Sequence, residues 1–191
     1  MDNFALLNAP RQPWLEADSL KAEFLRLAAQ THPDKAAAPD KAAANQRYAE
    51  LNAAYRCLLE PKDRLLHLLE LELGAPPKDV QSIPPGMMDL LMEIGKICRE
   101  TDSFLQARAK TTSPLLKVQL FETGMAWTGK LTQLRQQIDA RRDELLQELK
   151  TMNASWPGIK PLDRLEQIYR VFGYMARWTA QIQERLVQLS F

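Results

Sequence analysis

Apolar residues recur at helical spacing along almost the whole chain, and their pattern divides it into two halves. Near the start, Phe4 to Leu7 form a short apolar turn that Pro10 stops. Leu20, Phe24, Leu27 and Ala28 then mark one face of a second helix, starting at Asp18 or Ser19, either of which can cap exposed amides. That helix must end before Pro33, whose ring disfavours a helical residue ahead of it. A third helix is predicted from about Asp40 to Leu59, with Tyr48, Leu51, Ala54, Tyr55 and Leu58 on one side. Pro61 suits the first position of a fourth, because its missing N–H is harmless there. Leu65, Leu66, Leu68, Leu69 and Leu73 line this helix, and Gly74 ends it.

The clusters Gly74-Ala75-Pro76-Pro77 and Pro84-Pro85-Gly86 then interrupt the pattern, since proline fixes φ and removes an amide donor. Three longer helices should follow. One spans about Gly86 to Lys110. The next is capped by Ser113, begun by Pro114 and runs to about Met152, on a stripe of Leu116, Leu120, Trp127, Leu131, Leu134, Ile138, Leu145 and Leu149. Gly124 and Gly129 interrupt it and mark a bend or a close helix contact. After the turn at 153–158, Pro161 opens the last helix, with Leu165, Ile168, Phe172, Met175, Ile182, Leu186 and Leu189 at helical spacing. Short connections favour an antiparallel three-helix bundle. The expected fold is therefore all-α, with an N-terminal domain over 1–74, a connector over 75–85 and a C-terminal bundle over 86–191.

Composition narrows the function. The 25 basic and 24 acidic residues nearly cancel, so no basic field points to nucleic acid. Glycine is scarce at seven, which agrees with a helical chain. Cys57 and Cys98 lack metal-ligand spacing and fall in apolar runs, so they read as packing residues of a reducing compartment. The start has no basic and apolar leader pattern, and no run reaches the ~18 apolar residues of a membrane span. A soluble, cytoplasmic protein is expected. No nucleophile–base pair, phosphate loop or metal cluster suggests an enzyme, a cofactor or a bound metal. His67 reads as structural or surface, and Trp14, Trp127, Trp156 and Trp178 as packing anchors.

Between the second and third helices stands His32-Pro33-Asp34, followed by Lys35. Pro33 reduces the freedom the loop must lose on binding. Asp34 offers a carboxylate that a partner arginine can grip with two hydrogen bonds, and His32 offers one donor and one acceptor. Such groups can recognise a partner but make no hydrolytic site. Proline and aspartate are common in turns, so the tripeptide alone says little. Its context says more. It follows Phe24 between two amphipathic helices, with Asn52-Ala53-Ala54-Tyr55 and Pro61 downstream. In order and spacing, the block from Phe4 to Arg64 resembles the J-domain. The resemblance implies that His32, Pro33 and Asp34, with Lys35 and the basic positions Lys21 and Arg26, dock on a DnaK-type chaperone and stimulate its ATPase. Leu25, Ala22 and Gln30 stand where such domains often carry Lys or Arg, which suits a specialised chaperone partner.

The second half adds a partner surface. On the helix from Met87, Leu90, Leu91, Ile94, Ile97, Cys98 and Leu105 share one face at ~100° per residue. Met88 and Met92 fall on a second stripe, beside Gly95. Either the helix is wedged between two neighbours and buries both stripes, or flexible methionines serve an adaptable binding surface. A J-domain joined to a three-helix bundle, without a Gly/Phe-rich linker or a Cys-rich zinc module, is similar in layout to HscB-like co-chaperones of iron–sulfur cluster assembly. That resemblance implies an HscA- or DnaK-type chaperone and an IscU-like scaffold as partners, with Met88, Leu91, Met92, Gly95, Val171 and Phe172 as the client-binding set. Gly95 departs from the apolar residue this family carries there. The alternatives are a co-chaperone of the same build for another client, or a non-catalytic helical interaction module.

Overall fold

The structure, a computed structural model, describes residues 1–31, 40–77 and 83–190. The helices among these residues are α1 (Asn3–Leu6), α2 (Ala17–Thr31), α3 (Lys41–Leu59), α4 (Pro61–Leu73), α5 (Met88–Lys110), α6 (Pro114–Met152) and α7 (Leu162–Ser190). The described residues contain no strand, so the all-α expectation holds.

Local chemistry explains the ends. Asp2 caps α1, its carboxylate accepting from the amides of Phe4 and Ala5. Pro61 occupies the first turn of α4, and Gly74 closes that helix in the left-handed region at φ 74°. Three boundaries differ from expectation. Helix α2 begins at Ala17, with Leu20 N–H donating to the Glu16 carbonyl, so Asp18 lies within the first turn. Helix α5 begins at Met88, because Gly86 takes φ 76° and cannot continue a right-handed helix. Helix α7 begins at Leu162, while the Pro161 carbonyl accepts from Leu165.

The chain forms two compact units. The first comprises Met1–Val80 with Leu146–Tyr169, and the second Gln81–Leu145 with Arg170–Phe191. In the first unit Phe4, Leu7, Leu58, Leu65, Leu68 and Leu69 are fully buried, and Leu149, Trp156, Leu165 and Ile168 share its interior. Phe24 of α2 stacks on Tyr55 of α3, their ring centroids 4.4 Å apart.

Two polar anchors in this unit have no periodic signature in the sequence. Arg64 is only 3% exposed. Its guanidinium donates to the Pro13 carbonyl at 2.9 Å and the Leu58 carbonyl at 2.6 Å. Burial pulls its pKa down to about 10, which still leaves it charged at neutral pH. Asn153 works in a similar way: its Oδ1 accepts the Trp14 N–H at 3.1 Å and its Nδ2 donates to the Trp14 carbonyl at 2.8 Å. Lys150 lies over the Trp14 ring, and Lys160 pairs with Glu72 at 2.6 Å.

The second unit buries Ile94, Cys98 and Phe104 of α5, Leu131, Leu134 and Ile138 of α6, and Val171, Phe172, Met175, Trp178 and Ile182 of α7. Arg108 donates to the carbonyls of Leu189 and Gln188, satisfying the last turn of α7. Arg185 pairs with Asp102 at 2.6 Å, tying α7 to α5. The expected α6 stripe needs correction at its start. Leu116 is exposed and Leu120 only half-buried, so the buried stripe begins at Leu131. Of the two glycines, Gly124 makes the close helix contact, since a Cβ there would lie 3.7 Å from the Phe104 ring. Gly129 has nothing within 4 Å.

Replacing Arg64 with Ala should cost about 2–4 kcal/mol, because two buried carbonyls lose their donor. Urea unfolding followed by circular dichroism measures this; a change within about 0.5 kcal/mol would contradict the anchor.

Candidate functional site

The described residues support the ends of the helical hairpin that carries the tripeptide. Leu20 and Ala28 of α2 are buried, as are Leu51, Ala54 and Leu58 of α3. Together with the Phe24–Tyr55 stack, this packing sets the two helices side by side. The Thr31 hydroxyl donates to the Leu27 carbonyl at 3.0 Å in the last turn of α2. His32, Pro33, Asp34 and Lys35 themselves lie outside the described residues.

Lys21 and Arg26 are both exposed on α2. Five positions along a helix separate them by about 140°, so they do not form one basic stripe. Arg26 is committed locally, gripping Glu23 at 2.8 and 2.6 Å. Glu23 also accepts from Asn8 at 2.7 Å. Hydrogen bonds from Arg26 and then Asn8 hold its carboxyl down at about 2. Leu25 is 54% exposed, one turn after Lys21. The outer face of α2 thus offers an apolar contact with sparse charge.

On α5 the second stripe is uncovered. Met88 is 51% exposed and Met92 63% exposed, which decides against a helix wedged on both sides. Gly95 continues their line, and Arg99 fills the space its missing side chain leaves, with one guanidinium nitrogen 3.4 Å from where a Cβ would stand. Leu91 is half-buried at the edge of this line. Val171 and Phe172 are placed differently from the expected client-binding set. They are 7% and 4% exposed, inside the second unit, and leave almost no surface for a partner. Hydrophobic periodicity flags both residues, but it marks core and docking positions alike.

His67 belongs to the fold. Its Nε2 accepts the Asn3 N–H at 3.0 Å, and its ring stacks on Phe4 with centroids 5.7 Å apart. Burial lowers its pKa. Burial likewise raises both thiols, Cys57 and Cys98, away from reactive thiolate character. Among the described residues no group of three or more His, Cys, Asp or Glu could hold a metal ion. No described helix is long and apolar enough to cross a membrane. A crevice of about 240 Å³ between the α1–α2 segment and α2 is lined by Leu7, Trp14, Leu15, Ser19 and Glu23 among others, with no histidine, lysine or cysteine to activate the serine.

A helical hairpin whose arms are linked in sequence through His-Pro-Asp is the mark of the J-domain class, and the DnaJ domain family model matches residues 2–67. A co-chaperone protein HscB homolog of Vibrio atlanticus is 30% identical over 154 residues, covering 78% of this chain and 82% of that protein. The chain belongs to the HscB family of J-domain co-chaperones. An HscB homolog of Acinetobacter baumannii is 40% identical over 72 residues, a match that spans 38% of this chain and 41% of that relative's length. Two solved structures share the fold. Chaperone HscB from Vibrio cholerae has a TM-score of 0.58 at 22% identity, over 99% of both chains. Human co-chaperone HscB has a TM-score of 0.60 at 20% identity, over 97% of this chain and 80% of that one.

The His67 geometry predicts a pH effect with a definite sign. The folded state favours neutral imidazole, so the unfolded chain takes up the proton first. The His67 contribution is full above the unfolded value of about 6.5 and is lost as pH falls through the lower folded value. Urea midpoints at pH 7.5 and about 5.5 should differ more for the native chain than for His67→Gln. Equal differences would remove His67 as the cause.

Proposed function

We propose that the chain is a two-ended adaptor. Its J-domain, over 1–74, engages an HscA/DnaK-type chaperone through His32, Pro33, Asp34 and Lys35, with Lys21 and Leu25 on the outer face of α2 and Arg26 in a lesser part because Glu23 holds it. Beyond the connector at 75–85, the bundle over 86–191 carries an IscU-like iron–sulfur scaffold on Met88, Leu91, Met92 and Gly95. The partner chaperone hydrolyses ATP; this chain performs no chemistry, needs no cofactor and works in the cytoplasm without nucleic acid or membrane.

The observation that carries the client end is the exposure of Met88 and Met92 on the side of α5 turned away from its buried Ile94 and Cys98. Methionines fit irregular apolar surfaces at little cost in shape. Family membership supports the chaperone end. Holding client and activator in one molecule raises the effective concentration of each at the chaperone. The short apolar line, ending where Arg99 covers Gly95, favours one second reading: a co-chaperone of this build whose client differs from the family's usual scaffold.

Single-turnover hydrolysis by the chaperone tests the first end. The native chain should accelerate it, and His32→Gln or Asp34→Asn should remove the acceleration without loss of helicity. Normal stimulation by both variants would refute the proposal. For the second end, titration with purified scaffold should show affinity falling at least tenfold in Met88→Ser/Met92→Ser, about 1.4 kcal/mol or more. Both side chains are more than half exposed, so the fold should survive. Unchanged affinity would reassign the client surface, and absence of scaffold binding by the native chain would favour the second reading.

A further inference from the structure

The largest exposed apolar residues on one element lie elsewhere than the proposed client surface. On α6, Leu115 is 73% exposed, Val118 64%, Phe121 70% and Met125 60%. At ~100° per residue these four fall within an arc of about 120°, nearly opposite the buried face of Leu131, Leu134 and Ile138. They are an outward stripe with i, i+3 and i+4 spacing. Glu122 is the one charged residue in this arc between 115 and 129. A face that merely meets water on a long helix is ordinarily charged.

Gly129 extends the same arc. It is exposed, and nothing lies within 4 Å of where its Cβ would stand. Gly124 has a partner in Phe104 that explains its lack of a side chain, whereas Gly129 has none among the described residues. A glycine within a long helix weakens that helix, and this one leaves an open notch one turn beyond Met125.

We propose that this face pairs two copies of the chain, α6 against α6, antiparallel about Met125. Such pairing sets each Phe121 over Gly129 of the other copy, a ring into a notch, because both lie four residues from the centre. The residue level with Glu122 is then Thr128 of the other copy, which carries no charge. The stripe exposes on the order of 500 Å² of apolar surface per copy, or about 1,000 Å² in the symmetric pair. That reaches the lower edge of specific interfaces, the size class of weak, reversible pairs. A twofold pair is also the commonest closed assembly.

Sedimentation equilibrium of the full chain from about 1 to 200 μM should show a monomer–dimer equilibrium. Phe121→Glu should raise the dissociation constant at least tenfold. Gly129→Leu separates pairing from helix stability: it should hold or raise the melting temperature while weakening the dimer by a similar factor. Met88→Ser/Met92→Ser should leave the dimer unchanged. A native chain that stays monomeric throughout, or a dimer that survives both α6 substitutions, would overturn the proposal.

Discussion

The buried guanidinium of Arg64 sets the geometry on which the N-terminal unit depends. A charge removed from water is costly unless its hydrogen bonds are met. Arg64 meets its own by gripping two carbonyls, one at Pro13 ahead of α2 and one at Leu58 near the end of α3. A single side chain near the start of α4 thereby fixes the approach to α2 relative to the α3–α4 corner. The stack of Phe24 on Tyr55 then completes the hairpin with apolar contact. The two arms of the hairpin are therefore held by groups that lie outside the tripeptide. Asn153 extends the same device, binding both backbone groups of Trp14 from 139 residues away.

In the second unit the governing constraint is which side of each helix the bundle covers. Helix α5 buries Ile94, Cys98, Thr101 and Phe104 and leaves Met88 and Met92 outside. Helix α6 buries its face from Leu131 onward and leaves its N-terminal stripe outside. An apolar face on α5 and another on α6 are thus left uncovered. The outer side of α2, with Leu25 exposed beside Lys21 and Arg26 held by Glu23, is likewise sparse in free charge.

Much of this organisation is legible in the residues. Pro61 with Gly74, and Pro114 with the 153–158 turn, bracket helices because proline and glycine act on the backbone directly. Boundaries that rest on side-chain capping preference drift by a residue or two, as at Asp18, where the Glu16 carbonyl starts the helix instead. Periodicity separates the two sides of α5 correctly, yet it cannot say whether a stripe is covered. It therefore places Leu116 in a core that begins at Leu131, and offers buried Val171 and Phe172 as a docking surface. Arg64 and Asn153 are invisible to any local pattern, since their partners are carbonyls and amides with no side-chain signature. The tripeptide is the opposite case: a motif read from three residues and their neighbours, whose support is the hairpin on either side of it.

The proposed adaptor links a client to an activator within one chain. Its most direct test is the chaperone's steady-state ATPase rate, titrated with this chain at fixed scaffold concentrations. A two-ended adaptor predicts that scaffold lowers the concentration of chain needed for half-maximal stimulation, and that Met88→Ser/Met92→Ser abolishes this lowering while stimulation without scaffold is retained. A half-maximal concentration that does not move with scaffold would contradict the two-ended adaptor.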